Sequence, residues 1–324
     1  MERYLQDQKI SRVLTPIGDT KKSWRNVLEQ FRKGERGITR WSVGEDAIKA
    51  IQRMLVFLGY STSSTGAFTI DGDFGRGTNR AVAQFEFDHG LNNQLTRKIL
   101  CYPCTWQTAK TNITKIPDTR LTLKTMETML RVATDSIAQN RVLCGKFEDA
   151  LFHLNALDQR QLLSCQQIKK RYADDVKSAV ARVQGEKQVT VQPEWVLAII
   201  KQETGGIVRP RFEQHILTRL NKKQGRADLV ELRYQAMSQG LGQILGSNYK
   251  IIGAQSAVSM FQSSIAEQVL FVARFLARKS KIVSKRDPTE QDFAQLARFY
   301  NGPGYAKHHY DESLARWFRE FQSL

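Results

Sequence analysis

Glu203 is the residue whose surroundings best suit acid–base chemistry in this 324-residue chain. It follows the apolar run Trp195–Ile200, so the pattern places it at the end of a buried helix. The next residues are Gly205 and Gly206, which we expect to let backbone and ligand approach closely. A carboxyl group at the rim of an apolar region has its charged form disfavoured, which raises its pKa. Such a group keeps its proton near neutral pH and can act as a general acid in glycosidic cleavage. The alternative is an ordinary glutamate that faces solvent at a helix end.

Two later segments are typical of backbone packed tightly beside a cleft. Residues Gln239–Gly246 hold three glycines around an apolar pair, and Phe299–Tyr305 places a Tyr-Asn pair at a helix end before a rigid turn. Each segment alone has an alternative interpretation as helix-stop and turn chemistry. Their order after Glu203 favours one common site.

This order resembles the goose-type lysozyme and lytic transglycosylase superfamily. Residues 193–324 are more closely similar to the N-acetylmuramidase domain of modular bacteriophage endolysins, and the matching segments are Glu203–Gly206, Phe212–His215, Gly240–Tyr249 and Tyr300–Ala306. The resemblance implies cleavage of the β-1,4 bond between N-acetylmuramic acid and N-acetylglucosamine, with Glu203 as the general acid. Thr204, Gln214 and Gln239 stand where this family usually has Ser, Arg and Trp.

Further site residues follow from the same resemblance. Gln243, Tyr300 and Asn301 are expected to line the cleft and to orient the sugar N-acetyl groups or the attacking water. Glu213 is a second candidate catalytic carboxylate. It either positions water or braces the Glu203 helix through His215 or an arginine. The chemistry needs no metal and no cofactor.

An N-terminal region resembles the peptidoglycan-binding domains found beside such enzymes. The matching residues include Ile51, Gln52, Leu55, Leu58–Tyr60, Asp71–Gly75, Thr78, Phe85, Thr105 and Trp106. The resemblance implies that Asp71, Asp73 and Phe74 bind the wall polymer, since an Asp/Gly turn offers backbone N–H groups and short carboxylates to sugar hydroxyls and peptide amides. The alternative role for this turn is purely structural. Cys101–Cys104 replaces the Asp-Gly turn that usually closes the domain.

Cysteines and histidines give weaker signals. Cys101 and Cys104 have metal or redox spacing, but no second Cys or His pair completes a zinc site, so we expect plain thiols or an opportunistic disulfide. His308 and His309 beside Asp311 invite a zinc-amidase interpretation. The chain has no His-Glu-x-x-His motif, and we expect no metal site.

The periodicity of apolar residues predicts an all-α protein. Helical spacing occurs before Gly59, from about Thr78 to Gly90, and through Ile265–Leu276, and Thr289 with Asp292 forms a capping-box pattern. The predicted organisation has four segments. Residues 1–37 are an N-terminal extension, and residues 38–115 form a small helical peptidoglycan-binding module. Residues 116–190 are a helical connector or the start of the catalytic domain, and residues 191–324 form a lysozyme-like catalytic domain.

Charge and composition indicate the partner. The formal net charge is +17, spread along both halves, which favours a polyanion such as nucleic acid, an anionic membrane or a bacterial cell wall. The motifs select bacterial peptidoglycan, and we expect no nucleic-acid binding, no stable membrane insertion and a monomer. The N-terminus shows no secretory signal, so we expect synthesis in a host cytoplasm and action on periplasmic peptidoglycan after release or delivery.

Three alternatives remain open from the sequence. One is lytic transglycosylase chemistry with 1,6-anhydro products, because a single glutamate serves both reactions. Another is a non-catalytic wall-binding or virion protein that keeps the fold. The biological setting is the third: a phage endolysin, a virion-associated lysin or an effector of a type VI secretion system.

Overall fold

A computed structural model describes residues 2–32 and 44–324. The predicted boundary between residues 37 and 38 therefore lies outside the described residues. The fold is predominantly helical, as the periodicity predicts. The α-helices are α1 Glu2–Gln6, α2 Gln8–Leu14, α3 Ser23–Arg32, α4 Glu45–Phe57, α5 Arg76–Asp88, α6 Arg97–Leu100, α7 Ala109–Asn112, α8 Leu123–Ala138, α9 Phe147–Asp158, α10 Cys165–Lys187, α11 Pro193–Thr204, α12 Gln214–Lys223, α13 Leu229–Gln235, α14 Ala257–Phe261, α15 Ile265–Leu276, α16 Ser280–Val283, α17 Glu290–Asn301 and α18 Tyr310–Ser323.

Local sequence signals set several helix ends. Helix α17 begins with the predicted capping box, in which Thr289 Oγ1 accepts from the backbone N–H of Asp292 and the Asp292 carboxylate accepts from the backbone N–H of Thr289 at 2.8 Å. Helix α11 has Pro193 in its first turn, where the missing N–H costs nothing, and ends at Gly205 in the left-handed region.

A small antiparallel sheet lies within the predicted catalytic domain, where the sequence predicts only helices and loops. Its strands are β1 Arg211–Phe212, β2 Met237–Gln239 and β3 Ile244–Leu245, with β2 in the centre. Strands of two or three residues are too short to show the alternation that identifies a strand in sequence, which explains why the pattern does not predict them.

The hydrophobic core runs without a break through all four predicted segments. The N-terminal extension contributes Ile10, Val13, Leu14 and Trp24, each at most 1% exposed, although its apolar residues alone are too sparse for a core. Helix α2 of this extension packs against α4 of the module. The extension is therefore part of the folded body.

A buried arginine joins the extension to the module and connector. The Arg53 side chain is fully buried and donates to the backbone carbonyls of Val13 and Arg12, and to Asp158 at 2.7 Å. The same Asp158 carboxylate accepts from the backbone N–H of Ile17. Removing one partner of such a buried pair leaves an uncompensated charge, so the three segments depend on each other.

The connector divides between the two flanking regions. Helix α9 packs against α4 of the module, whereas α10 packs along α15 and α11 of the catalytic region. Arg274 on α15 holds Glu186 on α10 through two hydrogen bonds of 2.7 and 3.0 Å. Helix α10 is therefore a structural part of the catalytic region, while the boundaries at residues 115 and 190 stay predictions.

The module is attached to the catalytic region by a buried ion pair. Arg233 on α13 lies 2.7 Å from the Asp88 carboxylate at the end of α5, and their side chains are 3% and 5% exposed. Tyr60 donates to the same carboxylate at 2.8 Å. Beside them, a Cβ on Gly59 would stand 2.1 Å from the hydroxyl oxygen of Tyr234, so this close approach requires glycine.

Candidate active site

Helix α11 positions Glu203 near its C-terminal end. The helix is anchored by Trp195, whose ring lies 4.9 Å from the Phe293 ring and 4.4 Å from the Phe318 ring. Next to Glu203, the buried Thr204 hydroxyl bonds to the backbone carbonyl of Leu241 at 2.9 Å. The threonine that replaces the family's usual serine therefore ties the helix to the glycine-rich segment with its hydroxyl.

The Glu203 carboxyl is in an environment that favours its protonated form. Burial raises its pKa to about 7, although a hydrogen bond from Tyr310 and the charge of Arg209 act in the opposite direction. The donor is the Tyr310 hydroxyl and the acceptor is Oε1 of Glu203. Burial and the nearby Glu203 charge raise the pKa of Tyr310 well above its usual value, so its hydroxyl stays a donor.

The glycine pair after Glu203 has a different role from the one that the sequence predicts. Two glycines at this position indicate close approach between the backbone and a ligand. Instead, a Cβ on Gly206 would meet Ile168 and Leu163 of the connector at 2.8 and 3.0 Å. Tyr172 on α10 donates to the Gly206 carbonyl at 2.7 Å. The glycines therefore admit the connector, which braces the end of the catalytic helix.

The glycine-rich segment packs against Tyr300. The Tyr300 hydroxyl donates to the backbone carbonyl of Gly242 at 2.7 Å, and a Cβ on Gly242 would lie 2.7 Å from that hydroxyl. Gln243 has a φ of 48° and its side-chain amide donates to the Gly240 carbonyl at 3.0 Å. Asn301 is exposed beside Tyr300.

Glu213 lies at the start of α12 and is held by two neighbours. Its Oε1 is 2.8 Å from Arg211 Nε, and its Oε2 is 3.6 Å from His215 Nδ1. Burial lowers the pKa of His215, and the Glu213 charge offsets this only in part. The ion pair with Arg211 orients the Glu213 carboxylate.

A cleft of about 1610 Å³ brings the predicted residues together. The cleft is lined by Glu203, Glu213, Gln243, Tyr300, Asn301 and Asp71. Its floor is a row of residues paired across the sheet, because Arg211 pairs with Ser238 and Ser238 pairs with Leu245. The row continues into the module, where Ala67 forms a β-bridge with Arg211.

Comparison with protein families decides the class of the chain. Residues 230–322 match the family model described as N-acetylmuramidase, and residues 44–93 match the model described as a putative peptidoglycan binding domain. The chain carries a peptidoglycan-binding domain and an N-acetylmuramidase domain. It is thus a glycosidase that acts on peptidoglycan, as the sequence predicts.

Among solved structures, the hydrolase is similar to the crystal structure of the Burkholderia AP3 phage endolysin. The sequences are 20% identical over 90% of this chain and 99% of that chain, with a TM-score of 0.35. A TM-score this low establishes neither a shared fold nor a shared activity. A comparison with curated proteins gave no match.

The Asp/Gly turn of the module makes structural hydrogen bonds and also reaches the cleft. Asp71 is exposed in the cleft, but one of its carboxylate oxygens already accepts from Gln52 at 2.7 Å and from the backbone N–H of Asp73. Asp73 is exposed and does not line the cleft. Phe74 is 2% exposed, so its side chain belongs to the core, and a contribution of its backbone to binding stays a prediction.

The cysteines of the hydrolase are free thiols, which decides between the two alternatives for Cys101 and Cys104. Over the described ranges 2–32 and 44–324, no three His, Cys, Asp or Glu side chains are grouped to hold a metal ion. His309 instead pairs with Glu312, which raises the pKa of the imidazole. In the same part of the chain, no helix combines the length and apolar composition needed to cross a bilayer.

Sequence reasoning missed three residues at the site. Tyr310 and Arg209 act on Glu203, and Trp106 projects into the cleft from the module. Tyr310 carries no local signal, since it begins an amphipathic helix like many core tyrosines. Trp106 marks only the end of the binding-domain pattern in the sequence, and its exposure depends on how the module docks.

Proposed function

We propose that this hydrolase cleaves the β-1,4 bond between N-acetylmuramic acid and N-acetylglucosamine, with Glu203 as the general acid. The observation that carries this proposal is the Glu203 carboxyl itself. It lies in the cleft at the end of a buried helix, has a pKa of about 7, and accepts a hydrogen bond from Tyr310. A positioned acid with a pKa near the operating pH is what protonation of a glycosidic oxygen requires.

The two oxygens of Glu203 have separate tasks in this reaction. Oε1 accepts from Tyr310, so the transferable proton belongs on Oε2. As the bond to the leaving sugar breaks, Oε2 donates its proton to the glycosidic oxygen and positive charge develops on the sugar ring. The resulting Glu203 carboxylate is then stabilised by the Tyr310 hydroxyl and by the charge of Arg209.

Glu213 is the second carboxylate of the proposed site. Its pairing with Arg211 orients it in the same cleft, where it can accept a proton from the attacking water or stabilise the positive sugar ring. Gln243, Tyr300 and Asn301 line the same cleft, and the exposed Asn301 amide is available to an N-acetyl group. The bonded Tyr300 hydroxyl mainly fixes the shape of the wall.

The proposal is tested with Glu203→Gln on purified peptidoglycan. This substitution removes the transferable proton and keeps the size and the Tyr310 contact, so the cleavage rate should fall at least about 10²-fold, the low end for a positioned acid. Glu194→Gln is the matched control, because it removes a carboxylate from the first turn of the same helix. The control should cleave at nearly the wild-type rate, and equal rates for Glu203→Gln would remove Glu203 from its role.

Mass spectrometry of the digest separates hydrolysis from its rival on the same bond. Hydrolysis leaves a reducing N-acetylmuramic acid, whereas a transglycosylase leaves a 1,6-anhydro product that is lighter by one water. We expect reducing ends, because the Glu213 carboxylate lines the cleft, where its oxygens can accept hydrogen bonds from water. If anhydro products form instead, Glu203 can still be the acid, but the reaction is not hydrolysis.

A further inference from the structure

The peptidoglycan-binding module and the active-site cleft share one surface. The backbone N–H of Phe212 donates to the Gly66 carbonyl at 2.8 Å, and the N–H of Phe68 donates to the Pro210 carbonyl at 3.3 Å. With the isolated Ala67–Arg211 bridge, these bonds attach the module to the edge strand β1 of the three-stranded catalytic sheet. The row from Ala67 to Leu245 spans three strand spacings, roughly 14 Å, and all four of its residues line the cleft.

The join between the two parts allows little movement. Gly66 has a φ of 90°, and a Cβ there would lie 1.8 Å from the Phe212 carbonyl oxygen, so the strands meet at a distance that excludes other residues. On the other side of the module, Thr218 donates to the Tyr102 carbonyl at 2.9 Å and Gln214 donates to the Leu100 carbonyl at 2.9 Å. These bonds fix the segment just before Trp106 onto helix α12, which starts next to Glu213.

Trp106 presents its indole ring to the cleft. It is 66% exposed, which makes it the most exposed large apolar side chain in the part of the chain that the structure describes. The second is Leu162 at 52%, from the connector, and it lines the same cleft. Single exposed apolar residues are common, but two that line one cleft mark a binding surface.

We propose that Trp106 forms a sugar-binding subsite of the catalytic cleft, occupied by the part of the glycan strand that extends beyond the bond cleaved at Glu203. A flat aromatic ring buries much area at low conformational cost and suits the apolar face of a sugar. The exposed carboxylate of Asp71 lines the same cleft and can accept from sugar hydroxyl groups. The module thus holds the same strand that the catalytic region cuts. This inference rests on the proposed function, because it takes the cleft around Glu203 as the cleavage site.

The test compares full-length Trp106→Ala with wild type on peptide-free glycan strands of two lengths. One set is just long enough to be cleaved, and the other is several disaccharides longer. On the longer strands, KM should rise about 5–10-fold with kcat nearly unchanged, as expected when binding shared by ground and transition states is lost. On the shortest strands, both constants should stay close to wild type. Trp106→Phe should restore most of the affinity, because it keeps an aromatic face.

Ile251→Ala is the matched control, since Ile251 is an exposed apolar residue, 43% accessible, outside the cleft. It should change neither constant on either substrate. An unchanged KM for Trp106→Ala on long strands would overturn the inference. This holds even if the variant sediments less with insoluble wall, because Trp106 would then bind the wall outside the catalytic cleft. Failure of the proposed function looks different, since wild type itself would then give no cleavage at this bond or Glu203→Gln would remain active.

Discussion

The hydroxyl of Tyr310 donates a hydrogen bond to Oε1 of Glu203, although the two residues are 107 positions apart in the chain. Helices α11 and α18 pack directly on each other, and this packing brings the residues together. The bond lowers the pKa of Glu203, while burial, the largest effect, raises it. Tyr310 therefore limits how far burial raises the pKa of Glu203, and removing its hydroxyl should change the pH dependence of cleavage.

Tyr310→Phe should shift the alkaline limb of the pH profile upward. A general acid loses activity as pH rises through its pKa, here about 7. Without the hydroxyl, the charged form of Glu203 loses a donor and its pKa rises further, by roughly half to one unit. The measurement is kcat/KM on soluble glycan strands from pH 5 to 9. Tyr249→Phe, a change elsewhere in the catalytic region, should leave the limb in place, and a downward shift for Tyr310→Phe would contradict this role.

Glu203→Gln should stabilise the protein above neutral pH. In the unfolded chain Glu203 titrates near its ordinary value of 4.5, and in the folded state near 7, so the folded state binds more protons between these values. Wild-type stability therefore falls as pH rises through this window, whereas the glutamine variant avoids the buried charge. At pH 8 the gain should reach roughly 1–3 kcal/mol, since one pKa unit corresponds to about 1.4 kcal/mol. Denaturant melts at pH 4 and pH 8 check this, and equal gains at both values would disprove the linkage.

Asp88→Ala should destabilise the whole chain. The substitution leaves Arg233 buried without its carboxylate partner, which typically costs about 3–5 kcal/mol. Because one hydrophobic core spans module and catalytic region, calorimetry should show a single transition that moves to lower temperature. Asp118→Ala removes the exposed partner of Arg76 and should cost less than about 1 kcal/mol. Two transitions, of which only one shifts, would mean that the module unfolds independently.

The salt dependence of cleavage should distinguish electrostatic attraction to the cell wall from the chemical step in the cleft. The net charge of +17 favours encounter with an anionic polymer, and this attraction is screened once the Debye length falls to about 8 Å. Cleavage of insoluble wall should therefore slow between about 10 and 300 mM salt, a range that spans this screening. Cleavage of short, uncharged glycan strands should change little. Equal salt sensitivity on both substrates would place the effect in folding or in the cleft.

The parts of the fold that the sequence predicts are those set by local patterns. Apolar spacing predicts α15, the capping box predicts the start of α17, and Gly205 predicts the end of α11. The acid candidate Glu203 follows from its position at the end of an apolar helix, and Tyr300 follows from its place before a turn. These signals lie within a few residues of the feature that they predict.

The parts that could not be predicted arise from contacts between distant segments. Nothing around Gly66 indicates that its carbonyl meets Phe212, and nothing around Thr204 indicates a bond to Leu241. The motif around Phe74 resembles a binding motif and so predicts a binding residue, yet the Phe74 side chain is in the core. Tertiary docking decides which side of a turn faces solvent, and a single sequence carries no record of that docking.

The strand-to-strand join at Gly66 also bears on how such proteins are recombined. A module that hangs on a flexible linker can be exchanged for another by splicing within the linker. Here a transplanted module must bring glycine at both 59 and 66 and an acid at 88 to meet Tyr234, Phe212 and Arg233. A chimera that is cut at the domain boundaries alone should yield insoluble protein, whereas one that also transfers the residues on both sides of this join should fold. The residues that form the join must therefore be transferred together.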